Sequence, residues 1–376
     1  MTPSSNEPPA ATPPATALPF TFAGFTIPAG CRRTFITAEL EPSNGDPRIQ
    51  PTGFPDLGPV LYADPAEKDG LICLIESEPS MANWLENVCL ANKYEGTFKP
   101  ALAGLPYLRA QAGNGKSAVF KTSSTLDGHR FASDFLAKGR ATFAPNAAEQ
   151  TLADHIKTSL GMAENGSTMP IARIPDVFPL VLELDAMSLI HGFQVSNGQI
   201  SFVGLRLARA LTASIVGLQC QRVTIPGVKF NVGQVESESG QAIFQKPRVT
   251  AKRIEARFSL DVGLLSSLRL DAVDAQGGPG QHQKARLQLL LALALWKIAS
   301  FLDLLSVELS LRTECKLRLK LDDGGKPMAP KAKCEGGATS QPDFPFAAIA
   351  QKDLKQEIAD AHLPSKRSPL TLQFAS

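Results

Sequence analysis

Tryptophan and tyrosine are nearly missing from this chain, with 2 and 3 among 376 residues, and histidine is thin at 5. That scarcity argues against a recognition surface built from rows of exposed indoles and phenols. The six cysteines, at 31, 73, 89, 220, 315 and 334, form no Cys-x-x-Cys pair and have no histidine at ligand spacing. This removes the common zinc patterns and reads as reduced cytosolic thiols. Charge of one sign is lacking too: the formal net charge is +2 and the isoelectric point near 8.2. A polyanion would have to be drawn by local clustering rather than by a global field. The longest charge-free apolar run lies between Arg286 and Lys297, short of the roughly 20 residues that a bilayer span needs. The start is polar and proline-rich, with no basic segment leading into an apolar one, so the expectation is a cytoplasmic protein without a secretory signal or a membrane partner.

What is present suffices for a sizeable core, since 43% of the residues are apolar. Residues 1–19 hold Pro3, Pro8, Pro9, Pro13, Pro14 and Pro19 among Ala, Thr and Ser, and read as a disordered tail. A core is expected over 20–323, with a basic, glycine-punctuated insertion at about 98–180, then a loop at 324–345 and a helix with a tail at 346–376. Alternation predicts strands at Thr34–Leu40 and Ile254–Val262, and a continuous apolar run predicts a buried strand at Leu71–Ile75. Ser77, Pro79 and Ser80 then start a helix with Met81, Trp84, Leu85 and Val88 on one face. Another helix is expected at Glu149–Ser159. Spacing through Phe202, Leu205, Leu211 and Ile215 predicts a helix over Gln199–Val216, with Arg206 and Arg209 on one side. Leu287–Leu305 predicts a long, covered helix. Val307–Leu321 has apolar residues at every odd position, which predicts one long or bent strand whose other face carries Arg312, Lys316, Arg318 and Lys320. Strand, long helix and strand make half of a β-α-β-β-α-β unit, and the fold class expected is α+β with a ferredoxin-like, RRM-like core and large insertions.

Few residues suggest chemistry. Ala110 to Ser117 approaches a phosphate-cradling loop, but alanine stands where its first glycine belongs and Ala118-Val119-Phe120 looks extended. His191 borders an apolar run and reads as a hydrogen-bonded core residue. Glu183 and Asp185 would share a strand face without a partner acid. No metal or cofactor is implied. The basic strand face at 312–320 is interleaved with Glu308, Glu314 and Asp322, and reads as solvated surface. Within Arg48 to Gly58, the nine residues from Gln50 hold two prolines and two glycines, a shaped loop that Thr224 to Gly233 echoes around Lys229. The helix start at Ser77 to Ser80 is either a plain cap or an anion site, because a first turn leaves N–H groups unpaired.

The run Gln50-Pro51-Thr52-Gly53-Phe54-Pro55-Asp56-Leu57-Gly58, followed by Glu76-Ser77-x-x-Ser80-Met81-Ala82-Asn83-x-Leu85-Glu86, resembles the signature of the RAMP-superfamily backbone subunit of the type I-U (I-G) CRISPR Cascade complex, the "Cas seven" role. The resemblance extends over roughly Thr34 to Leu321. It implies a projecting thumb and a binding scaffold rather than an enzyme. Several copies would polymerise along a guide RNA (crRNA), grip its sugar-phosphate backbone and leave its bases free to pair with target DNA. Implied partners are copies of itself in a helical filament, a fused subunit that caps and processes the guide's ends, a large subunit, and a helicase-nuclease recruited later. With the resemblance, Arg48, Gln50, Ser80, Asn83, Arg206, Arg209 and Lys229 become the expected RNA-binding residues. No K/R-G-F/Y-G/A-F-V-x-F/Y run of an ordinary RRM is present, so loops and backbone are expected to do the gripping. The competing readings are a nucleotide-handling or RNA-cleaving enzyme using the Gly113–Ser117 loop or His191, and a structural protein that multimerises without nucleic acid.

Overall fold

The computed structural model describes residues 19–374 other than 55–57, 66, 68–69, 114–117, 163–168, 197–199, 224–247, 273–277, 279, 312–314, 337–341 and 364–367. All but the last residue of the tail expected at 1–19 lies outside it. The described chain opens on a hairpin, β1 (Phe20–Phe22) and β2 (Phe25–Ile27), with every apolar side chain inward and Thr21 and Thr26 outward. β3 (Arg33–Pro42) buries Thr34, Ile36, Ala38 and Leu40 on one face, as its period of two requires. The segment expected as an irregular loop is instead pinned in short paired steps, β4 (Arg48–Ile49), β5 (Gly53–Phe54), β6 (Gly58–Pro59) and β7 (Leu61–Ala63). The backbone there finds partners: the Thr52 N–H donates to Leu74 O at 2.7 Å and the Val60 N–H to Thr52 O at 2.9 Å. β8 (Leu71–Glu76) leads into α1 (Glu78–Asn87), whose cap is Ser77 and whose Met81, Ala82 and Leu85 are buried.

β9 (Leu90–Asn92) and β10 (Thr97–Phe98) follow α1, and the segment expected as an insertion, from about 98, holds β11 (Leu108–Ala112), β12 (Val119–Ser123), α2 (Asp134–Ala137), β13 (Arg140–Ala141), β14 (Gln150–Thr151) and α3 (Leu152–Ser159). Then come α4 (Ile174–Leu184), α5 (Ala186–His191), β15 (Phe193–Ser196), β16 (Ser201–Leu207), β17 (Leu211–Val223), β18 (Arg248–Asp261), α6 (Val262–Ser267) and α7 (Gln283–Val307). β19 (Leu309–Ser310), β20 (Lys316–Leu319), β21 (Lys331–Glu335), α8 (Phe346–Ala350), α9 (Lys355–Asp360) and β22 (Leu370–Gln373) complete the described chain.

The main sheet runs β19-β20-β3-β18-β17-β8-β7, with β21 also paired to β3 and β4 to β18. Its central pairings are antiparallel, β20 with β3, β3 with β18 and β18 with β17. Two strands antiparallel to the same neighbour are parallel to each other, so β3 and β17 are parallel across β18, and β18 and β20 are parallel across β3. Helix α1 lies in the chain between the first pair and α7 between the second. This is the split β-α-β-β-α-β arrangement of a ferredoxin-like core, and the chain is an α+β protein. Its first half is completed by β3 and β17; β8 is an additional strand beyond them. α1 packs on β17 and α7, and α7 on β20, so both helices close one face of the sheet.

Several sequence expectations are corrected. The helix expected over Gln199–Val216 is replaced, among the described residues, by the strands β16 and β17 joined at 208–210: Leu205, Leu207, Leu211, Ala213 and Ile215 keep odd numbers, and pairing of β17 with β18 and β8 overrides the weaker period. Val307–Leu321 is not one strand. Its alternation holds, with Leu311, Cys315, Leu317 and Leu319 buried, but α7 extends to Val307 and the chain folds back so that Leu309 faces Leu317. Alternation reports a face and not continuity. Leu180–Leu189 is helical, so Glu183 lies within α4 while Asp185 links α4 to α5 as the cap of the latter. The segment around 98–180 contributes four strands to a second sheet, β12-β11-β22-β13-β14, into which the C-terminal strand β22 inserts parallel to β11. The single helix expected at Phe346–Leu363 is divided into α8 and α9, because the Leu354 N–H leaves the helical ladder to bond Ala101 O at 2.9 Å. α7 is long and apolar enough to cross a membrane by length and composition, yet 78% of its most apolar window is buried against the rest of the chain.

Candidate nucleic-acid interface

Among the residues expected to touch RNA, Arg48 lies at one end of the paired strands β17 and β18 and Arg206 and Arg209 lie at the other. At one end Arg48 sits on β4 opposite Thr250, which faces Gln221 of β17. At the other, the Ala210 N–H bonds Ile190 O at 2.9 Å and Leu211 faces Leu260. Leu211 to Gln221 is ten residues, or about 33 Å at the usual rise per strand residue. Arg206 is exposed on β16 opposite Gln194, and Arg209 is exposed in the link to β17. They share a neighbourhood, although not as neighbours on a helix. That link passes close to Gly192, whose φ is +75° and where an added Cβ would lie 3.0 Å from the Arg209 nitrogen, so only glycine suits the position.

At the first end Arg48 is already engaged. Its Nε and Nη2 donate to the two Asp46 carboxylate oxygens at 2.9 and 2.8 Å, and these hydrogen bonds hold the Asp46 carboxyl down at about 2. Any phosphate at Arg48 therefore competes with a resident carboxylate. Two residues on, the Gln50 N–H donates to Cys315 Sγ at 3.2 Å, while its buried side-chain Oε1 has no protein partner among the described residues. Ser80 and Asn83 lie on α1. The Ser80 N–H reaches Ser77 Oγ at 3.5 Å, which favours the plain cap, and Ser80 Oγ is buried with no partner among the described residues, while Asn83 is exposed. Lys229 lies outside the described residues. The basic strand face resolves into ion pairs, Lys320 with Glu39 at 2.6 Å, Arg318 with Glu41 at 2.9 Å and Lys316 with Glu308 at 3.8 Å; Arg312 lies outside the described residues.

The alternative site residues are placed as follows. Gly113 follows β11, residues 114–117 lie outside the described ones, and what comes next is β12, paired antiparallel with β11 so that Ala112 faces Val119; the motif is therefore followed by a strand and not by a helix. His191 is 4% exposed, and its Nε2 is 2.8 Å from the Nζ of Lys297, itself fully buried. Burial, then the positive charges of Lys297, Arg130 and Arg209, hold its imidazole well below the usual value. Among the described residues no group of three or more His, Cys, Asp and Glu is placed to hold a metal ion.

A buried ionic network accompanies His191 and had no signal in the sequence. Arg130 donates to Glu86 of α1 and, at 3.3 Å, to Asp185, which also accepts from Ser188 Oγ at 2.7 Å. Burial works to lower the Arg130 guanidinium, but Glu86 and Asp185 outweigh it and the net shift is upward. The network ties the insertion to α1 and α5. Its members are separated by 44 and 55 residues, so only the fold brings them together.

No curated protein matches the sequence. A solved chain described as "CRISPR RNA-guided surveillance complex, pre-nicking" aligns over 73% of this chain and 72% of its own at 11% identity and a TM-score of 0.27, too weak a likeness to carry an argument. The profile of a family described as CRISPR-associated protein GSU0053 matches residues 35–222, which is 188 of 376 and takes in both expected motifs, α1 and the first half of the ferredoxin-like core. The chain belongs to the CRISPR-associated protein GSU0053 family.

Proposed function

We propose that this protein is the backbone subunit of a type I-U/I-G CRISPR surveillance complex of the RAMP superfamily. Copies polymerise along the guide RNA in the cytoplasm, hold its sugar-phosphate backbone without regard to sequence, and leave the bases free for target DNA. The other subunits, and the helicase-nuclease recruited later, assemble around that filament. The observation that carries this reading is a ferredoxin-like sheet in a chain of a CRISPR-associated family. Gripping guides of many sequences calls for phosphate contacts from cations and main-chain N–H groups rather than base readout. Arg206 and Arg209, exposed together, suit that task.

The role is that of a scaffold and not an enzyme. A substrate cannot reach His191 without opening the core, and the strand β12, not the helix that a phosphate loop uses, follows the Gly113–Ser117 segment. The test is co-expression with a CRISPR transcript and the companion proteins. Purified material should be oligomeric, with an absorbance ratio at 260 to 280 nm that marks bound RNA, and should protect that RNA without cutting it. A lone, RNA-free monomer removes the proposal. RNA cleavage abolished by His191→Ala or Lys116→Ala would install the enzyme in its place.

A further inference from the structure

Both crossover helices cover the same face of the main sheet, and the other face carries a groove that no linear motif announces. Directly opposed residues in antiparallel strands point to one side. Phe35 therefore shares this face with Ser259 and Lys333, and Thr37 shares it with Arg257 and Lys331. Phe35, Thr37, Arg257, Phe258, Lys331 and Lys333 line a groove of about 330 Å³. Phe35 is 37% exposed, whereas Ile36, Ala38 and Leu40 of the same strand are at most 3% exposed. A large aromatic left open mid-strand in a well-packed sheet is the informative kind of exposure.

Three cations line this groove and no carboxylate does. Lys331 reaches out of it to Asp343 at 2.5 Å, Arg257 pairs at 2.7 Å with Glu255, which also takes Arg253 at 2.9 Å, and Lys333 has no ion pair among the described residues. The nearby strand ends balance differently, since Arg33 and Asp261 pair at 2.8 Å and Glu335 stands beside them. Of the three groove cations, Lys333 is thus the one without a carboxylate partner among the described residues. A planar apolar face ringed by cations is how single-stranded nucleic acid is held without sequence choice, the base on the ring and the phosphates on the charges. An acidic peptide would match the cations but leave the ring unused.

We infer that this groove seats one nucleotide unit of single-stranded RNA, its base stacked on Phe35 and its phosphates held by Lys333 with Arg257 and Lys331. The inference rests on the reading of the chain as an RNA-binding subunit, and it adds a stacking site apart from the loops and from Arg206 and Arg209. The absence of an RRM-type string does not bear on it, because the aromatic comes from β3 and the cations from β18 and β21, more than 200 residues further along the chain.

The experiment uses the full-length chain and a fluorescein-labelled, unstructured 12-nucleotide RNA, followed by anisotropy over a salt series. Phe35→Leu should weaken binding about 5- to 20-fold, the scale of one lost stack, and Phe35→Tyr should restore it. Lys333→Ala should lower the slope of log affinity against log salt by about 0.7, one phosphate contact on a single strand. Independently of any substitution, RNA should shield Lys333 of the native chain from acetylation. Wild-type binding matched by both variants, with Lys333 labelled equally with and without RNA, overturns this inference alone. Shielding by companion proteins but not by RNA overturns it in favour of a protein interface. Failure of the wild-type chain to bind any RNA takes away the proposed function and this site with it.

Discussion

Arg130 is the residue on which the join between the insertion and the core depends most directly. Its guanidinium lies between Glu86 and Asp185, and neither carboxylate has another cation paired to it among the described residues. Arg130→Met removes the charge but keeps the length. Two buried carboxylates are then left facing each other, an imbalance that costs about 3–5 kcal/mol. A urea midpoint that falls accordingly at unchanged m-value checks this, and a loss under about 1 kcal/mol would show that the network relaxes to solvent. The histidines give a second expectation at this scale. Burial holds His155 at about 4 and His191 well below 6.5. A histidine depressed in the folded state binds its proton more readily when unfolded, so its contribution is full above about 6.5 and declines as pH falls toward 4. Urea midpoints should therefore drop between pH 7 and pH 5. His155→Gln, which also loses the stack on Phe143 at 4.0 Å, should be less stable at pH 7 but less sensitive to acid; an unchanged pH slope would place the linkage elsewhere.

Elements show where local pattern suffices and where it fails. β18 and α7 were legible because each is long and strongly patterned: the alternation of Ile254 to Leu260 fixes which face is covered, and the dense apolar content of Leu287 to Leu305 requires cover. The short stretches were not. Leu205 and Leu211 satisfy a helical period as well as a strand period, and only pairing between β17 and strands far away in sequence decides. Ser80 and Asn83 fall on the expected helix, and Arg48, expected beside a shaped loop, is on β4, but nothing in the sequence could place Asp46 on Arg48 or Ser77 under Ser80 in competition with a ligand. Phe35 carries no signal in the sequence beyond that of a strand residue, since its exposure depends on β18 and β21. The closeness of strand pairing makes its own expectation at Gly217, where β17 passes β8. An added Cβ there would stand 2.8 Å from Cys73 Sγ and 3.0 Å from both Ala251 Cβ and Cys220 Sγ. Gly217→Ala should cost about 1–3 kcal/mol by overpacking, read as a lower thermal midpoint, whereas an unchanged midpoint would mean that the thiols can turn aside.

For the whole molecule the decisive quantity is the distance between the two ends of the paired strands β17 and β18. If one RNA strand runs past both, Arg48 and the Arg206 and Arg209 pair touch different phosphates about 33 Å apart, and groups so separated act independently. Arg206→Ala with Arg209→Ala should weaken binding to unrelated guides by the same factor and reduce the salt slope by about 1.4, two single-strand phosphate contacts. Arg48→Ala should do less, because Asp46 already holds that guanidinium, and Asp46→Asn should raise affinity by releasing it. Adding Arg48→Ala to the double variant should multiply the separate losses within about a factor of two. A combined loss no larger than that of the Arg206 and Arg209 pair alone would mean that the RNA never reaches the Arg48 end. Guide-dependent losses would be the more serious result, since a scaffold that grips only phosphates has no means of telling one guide from another.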